Sequence, residues 1–106
     1  MRRGEIYWAD LPSPAGRRPI LVLTRSSAIP HLTHVTIAEL TTRIRDIPSE
    51  VPLGTAEGMP KPCVATLDNI RTISKTRLDT QPAGRLADRR IPELDSALCF
   101  ALGVRR

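Results

Sequence analysis

Apolar residues fall in short alternating or continuous runs along most of this chain and change to a helical spacing only near its end. Residues 4 to 11, Gly-Glu-Ile-Tyr-Trp-Ala-Asp-Leu, are β-prone and stop at Pro12-Ser13-Pro14-Ala15-Gly16, whose composition allows only a loop. Residues 19 to 24 form an unbroken apolar run, the pattern of a central strand covered on both faces. Residues 25 to 33, with two serines, Pro30 and His31, read as an irregular excursion with at most one helical turn. Residues 34 to 40 alternate: Val35, Ile37 and Glu39 share one face, and Thr36, Ala38 and Leu40 the other. Residues 47 to 53 form a weaker strand that Pro48 and Pro52 place at an edge. After a wide turn over 54 to 62, residues 63 to 67 are strand-like, and 68 to 73 continue them across a bulge. A last short strand is expected around 77 to 82. Ile91, Leu94, Leu98, Ala101 and Leu102 then mark one helical stripe, with Asp88 as the expected N-cap and Gly103 as the stop. Five or six short strands with one helix packed on them predict a mainly β fold, a small partly open barrel.

Length fits this picture, since 106 residues support one domain with one modest core, here taken as 1–106. Charge adds a direction. Sixteen basic side chains against eleven acidic ones leave a net charge of +5, which favours a polyanionic partner. The basic start Met1-Arg2-Arg3 is followed by no long apolar run, so neither a secretory signal nor a membrane span is expected. Cys63 and Cys99 lack any Cys-x-x-Cys spacing and suit reduced thiols in a cytoplasmic protein. With Tyr7, Trp8 and Phe100 as its three aromatic residues, the chain cannot stack successive bases on a row of rings. His31 and His34 have a His-x-x-His spacing but no third ligand nearby, so no metal is expected.

The candidate chemistry starts at Arg17-Arg18-Pro19. Two adjacent guanidinium groups are expensive to bury, so they belong at the exposed mouth of the sheet that the following run enters, a good place to hold a phosphate. Pro19 also explains the local geometry by itself, because it forces Arg18 into an extended conformation.

Four segments in order, Arg3-Gly4-Glu5-Ile6-Tyr7-Trp8, Arg18-Pro19-Ile20-Leu21-Val22-Leu23, Leu40-Thr41-Thr42 and Asp68-Asn69-Ile70-Arg71-Thr72-Ile73, make the chain resemble the MazF/PemK family of toxin endoribonucleases. The resemblance implies an SH3-like barrel with a C-terminal helix, a homodimer, and cofactor-free, metal-independent cleavage of single-stranded RNA. It implies catalytic roles for Arg18 and Thr41 and, in some members, for the acidic residue that falls on Asp68. Arg17, Thr42, Arg43, Asn69 and Arg71 are then the expected RNA contacts, with Arg45 as a further candidate. It also implies a cognate MazE-like antitoxin whose acidic, partly disordered tail occupies the same basic groove. In many members the loop before the arginine is longer and carries Gly-Ser-Glu-Gln or Gly-His-Glu-Gln, whereas here Ala15-Gly16-Arg17 leads almost directly to Arg18.

The implied chemistry uses the 2′-hydroxyl of the RNA as nucleophile. A guanidinium suits the charge that grows on phosphorus, because its forked donors match two phosphate oxygens, and its high pKa makes it a poor general base. Thr41 offers a hydroxyl donor, and Asp68 could orient or deprotonate the nucleophile; which group takes the proton stays open. Two rivals are a gyrase poison of the CcdB type and a non-catalytic barrel that binds nucleic acid. The first depends on a terminal Trp-Gly-Ile, whereas this chain ends Gly103-Val104-Arg105-Arg106.

Overall fold

The computed structural model describes residues 1–105. Six strands form one antiparallel sheet: β1 (Glu5–Leu11), β2 (Gly16–Val22), β3 (His34–Thr41), β4 (Glu50–Leu53), β5 (Cys63–Ser74) and β6 (Gly84–Arg85). Their spatial order is β4-β5-β3-β2-β1-β6, and the sheet curls into a half-barrel closed on one side by the helix α1 (Ile91–Leu102).

The unbroken apolar run of β2 is explained by two cores, one on each face of the sheet. Ile20 and Val22 pack with Tyr7, Ala9, Val35, Ile37 and Ile73, while Leu21 and Leu23 pack with Ile6, Ala38, Leu40, Leu67 and Leu94 of α1. Leu94 is fully buried, a contribution of about 2–3 kcal/mol by area. Gly103 stops α1 in the left-handed conformation (φ 69°), with the Val104 N–H donating to the Cys99 carbonyl, the hydrogen bond of a Schellman cap.

Several expectations need correction. Residues 77 to 82 are not a strand: a 3-10 turn occupies Lys75–Arg77, Leu78 makes a single bridge to Ala9, and the last strand is β6. Asp88 does not cap α1, since it opens a 3-10 turn over Asp88–Arg90 and the helix starts behind Arg90 without a side-chain cap. Leu102 lies on the expected stripe but is exposed, and Ala97 is buried in its stead. The edge strand β4 is also shorter than its sequence run, because residues 47 to 49 form a turn closed by the Glu50 N–H on the Ile47 carbonyl. Among the described residues no helix is long and apolar enough to cross a membrane.

Candidate functional site

The β1–β2 hairpin outruns the rest of the sheet. Pairing with β1 extends from Gly16 to Leu21, but β3 pairs with β2 only from Ile20 onward. Pro19 therefore sits where its missing N–H costs no ladder bond on the β3 side, and Arg17 and Arg18 ride on a projecting ribbon. Arg18 is anchored by its Nε, which donates to the Ala15 carbonyl at 3.1 Å. Its two terminal nitrogens have no hydrogen bond or ion pair to any described residue. Arg17 is committed differently: Nη1 and Nη2 meet Asp10 and Asp79 at 3.2 and 2.6 Å, and its guanidinium lies 5.8 Å from the centre of the Trp8 ring. The hydrogen bonds to Asp79 and Asp10 raise its pKa further.

Thr41 closes β3. Its Oγ1 accepts the Arg43 N–H at 3.1 Å, which turns the chain and leaves the hydroxyl proton available to a ligand. Behind it the β3–β5 ladder breaks. Ala38 pairs with Ile70 but Leu40 pairs with Ala65, so β5 residues 66 to 69 bulge opposite the single residue Glu39. The bulge carries Asp68 and Asn69 to the surface, where an Asp68 oxygen accepts the Ser49 hydroxyl.

Two cavities meet at Arg18 and Thr41. One, of about 350 Å³, is mostly apolar and is walled by Trp8, Pro19, Leu40, Met59 and Pro60, with Arg17, Thr42 and Lys61 at its polar edge. Cys63 also lines it, its thiol pKa raised by burial and by the nearby Glu57. The other, of about 420 Å³, is more polar and adds Glu39, Arg43, Arg45, Glu50, Asp68 and Asn69 to Arg18, Leu40 and Thr41, which line both.

Of the residues expected from sequence, Arg18, Thr41, Asp68, Arg43 and Asn69 thus border the polar cavity, while Arg17 and Thr42 border the apolar one. Arg71 borders neither: its Nη2 donates to Glu39 Oε2 at 2.7 Å. Sequence reasoning missed Glu39, only 8% exposed, whose Oε1 lies 3.9 Å from Arg18 Nε. The one signal it left was a carboxylate on the alternating face otherwise held by Val35 and Ile37. Met59 and Lys61 were missed as well, since a wide turn carries no pattern that says where it folds back.

Residues 2–102 match the family described as PemK-like, MazF-like toxin of type II toxin-antitoxin system. The chain is 39% identical over 103 residues to "Probable endoribonuclease MazF5" of Mycobacterium tuberculosis, covering 96% of this chain and 89% of that relative. Its fold matches the structure of Mycobacterium tuberculosis toxin MazF-mt6 with a TM-score of 0.88 at 35% identity, over 96% of this chain and 99% of the other. It also matches an endoribonuclease in complex with its cognate antitoxin from a mycobacterial species, with a TM-score of 0.86 at 29% identity, over 100% and 98% of the two chains. By the extent of the match and the level of identity, this chain belongs to the PemK-like, MazF-like toxin family of type II toxin-antitoxin systems.

Proposed function

We propose that the protein is a toxin endoribonuclease that cleaves single-stranded RNA at the groove bordered by Arg18 and Thr41. One observation carries this reading: an arginine fork with two uncommitted terminal nitrogens stands beside a threonine hydroxyl with its proton to give, both at the boundary of two open cavities. A phosphodiester held there receives two forked donors and a hydroxyl, and these become stronger partners as negative charge builds on the phosphoryl oxygens. Asp68 and Asn69 contact the ribose or base of one flanking nucleotide, and Thr42 and Arg17 the other. Arg43 and Arg45 add charge along the backbone path.

The 2′-oxygen attacks phosphorus in line with the departing 5′-oxygen, leaving a 2′,3′-cyclic phosphate and a 5′-hydroxyl. That alignment requires an unpaired strand, because regular A-form geometry does not let sugar and phosphate rotate into line. No metal is assigned a role. The toxin works in the cytoplasm as a homodimer, and an antitoxin with an acidic tail covers the same basic groove until it is removed. Arg71, committed to Glu39, acts on the RNA through that carboxylate.

The test is incubation of the purified protein with end-labelled single-stranded RNA in EDTA. Fragments ending in cyclic phosphate and 5′-hydroxyl are expected. Intact RNA with a mobility shift would overturn the enzymatic reading in favour of a binding barrel.

A further inference from the structure

We propose that Glu39 is the general base of the cleavage, accepting the 2′-hydroxyl proton on its Oε1; the proposal rests on the nuclease reading above. The Glu39 carboxylate has two oxygens with different fates. Oε2 is fixed by the Arg71 guanidinium at 2.7 Å. Oε1 makes no hydrogen bond to any described residue, and no buried side-chain oxygen or nitrogen in the described structure is without a partner, so Oε1 is reached from the polar cavity. At 3.9 Å from Arg18 Nε, it is a fixed acceptor beside the fork that would hold the phosphate.

The local chain geometry accounts for this placement. Ile20 pairs with Glu39 across β2 and β3, which sets Glu39 one residue beyond Pro19 and next to Arg18. The bulge of residues 66 to 69 removes the β5 strand partner that would otherwise cover it. Every other charged group around the cavity has a different commitment. Glu50 Oε1 accepts the backbone N–H groups of Arg45 and Asp46, and Asp68 is exposed and bound to the Ser49 hydroxyl. Arg43 and Arg45 are exposed at the rim. Glu50 is as buried and also keeps its Oε2 without a hydrogen bond to a described residue, but of these carboxylates Glu39 is the one within ion-pair distance of Arg18.

The step balances without any further reactant than water. The proton leaves the 2′-oxygen for Glu39 Oε1 as the oxygen's electron pair forms the new bond to phosphorus. The bond from phosphorus to the 5′-oxygen breaks with its electron pair, and that oxygen takes a proton from water. Glu39 then returns its proton to solvent.

Glu39→Gln keeps the shape of the side chain and an acceptor for Arg71 but cannot take a proton. Single-turnover cleavage near neutral pH should fall by at least about 10²-fold, the scale of a lost general base. The wild-type pH–rate profile should have an acid limb that Glu39→Gln lacks, whereas Asp68→Asn should keep that limb whatever its rate. Binding of a strand with a 2′-deoxy sugar at the cleavage position should stay within about threefold of wild type, because the ground-state contacts remain. Should Glu39→Gln fail to fold, Glu39→Gln combined with Arg71→Gln removes the pair together and leaves no guanidinium uncompensated. Rapid cleavage by either variant, an acid limb that survives in them, or a limb that vanishes in Asp68→Asn instead, would overturn the assignment while the nuclease reading stands. A wild-type protein that leaves RNA intact would overturn both.

Discussion

Arg17 Nη2 lies 2.6 Å from Asp79 Oδ2, an ion pair that ties the projecting β1–β2 ribbon to the segment after Leu78 and holds the guanidinium over Trp8. Both partners are substantially exposed, so the pair contributes little to stability and mainly decides what charge the ribbon shows to a ligand. Asp79→Asn removes one of the two carboxylates that neutralise Arg17. RNA affinity should rise several-fold at low salt, and the slope of log K against log salt should steepen by about one. Filter binding of an uncleavable strand across a salt series checks it; an unchanged slope would mean that Arg17 never meets phosphate.

Arg18 and Thr41 divide the proposed phosphate contacts between a charge and a neutral donor. Arg18→Ala should lower cleavage by roughly 10²- to 10³-fold, the loss seen when one oxyanion donor is removed. The fold should survive, because that side chain's anchoring within the chain is one hydrogen bond from Nε to the Ala15 carbonyl and a long ion pair to Glu39. Thr41→Val should cost less, about tenfold, as loss of a single neutral hydrogen bond does. Rates that fall equally for both variants would contradict the division.

The strands were readable where local pattern decides the outcome. β2 announced itself as a two-faced central strand, and Gly103 as a left-handed stop, because each follows from the residues on the spot. Two short features were misplaced for one reason. β6 is only Gly84–Arg85, too short to alternate, and it forms because Gly84 fits against the segment around Glu57. The start of α1 is set by Arg90, which meets Glu93 at 2.6 Å, Glu57 at 3.3 Å and the Pro52 carbonyl at 2.9 Å. In the candidate site, Arg18 and Thr41 could be named individually from sequence and family resemblance. Their meeting at one groove depends on the pairing of Ile20 with Glu39, and the open oxygen of Glu39 on the bulge opposite it. Both are properties of strand register, which no local window of sequence contains.

Gly84 has no room for a side chain. A Cβ there would stand 1.8 Å from the Glu57 carbonyl oxygen and 3.2 Å from the Gly58 Cα, both backbone atoms that cannot swing aside. Gly84→Ala should therefore destabilise the fold by about 3 kcal/mol or more, a fall in Tm of roughly 10–20 °C. The strain acts on the turn that leads to Met59, Pro60 and Lys61, so the folded fraction should also lose affinity for RNA at the apolar cavity. Gly103→Ala is the control: nothing lies within 4 Å of its Cβ, and only its left-handed φ of 69° is penalised, by about 1 kcal/mol. Calorimetry that finds the two variants alike would show that the 54-to-62 turn gives way.

Tyr7 links stability to alkaline pH. Its hydroxyl donates to Glu5 Oε1 at 3.1 Å, and burial of the ring, the hydrogen bond and the nearby carboxylate together push its pKa up from 10.0 to about 12. The fold thus favours the protonated phenol. Stability is therefore independent of this group's ionisation below about pH 10, where the unfolded chain titrates, and falls as pH rises toward about 12. As this is the chain's single tyrosine, the phenolate absorbance of the folded protein should titrate near 12 without overlap from another ring. Tyr7→Phe should lower stability at neutral pH by about 1 kcal/mol, since one hydrogen bond is gone. Between pH 10 and 12 the gap between wild type and variant should close and then change sign, because the unfolded wild type gains a phenolate that the variant cannot form. Urea unfolding of both proteins across that range cancels the lysine titrations they share. Parallel curves would place the Tyr7 hydroxyl in water, with the Glu5 contact making no difference to the fold.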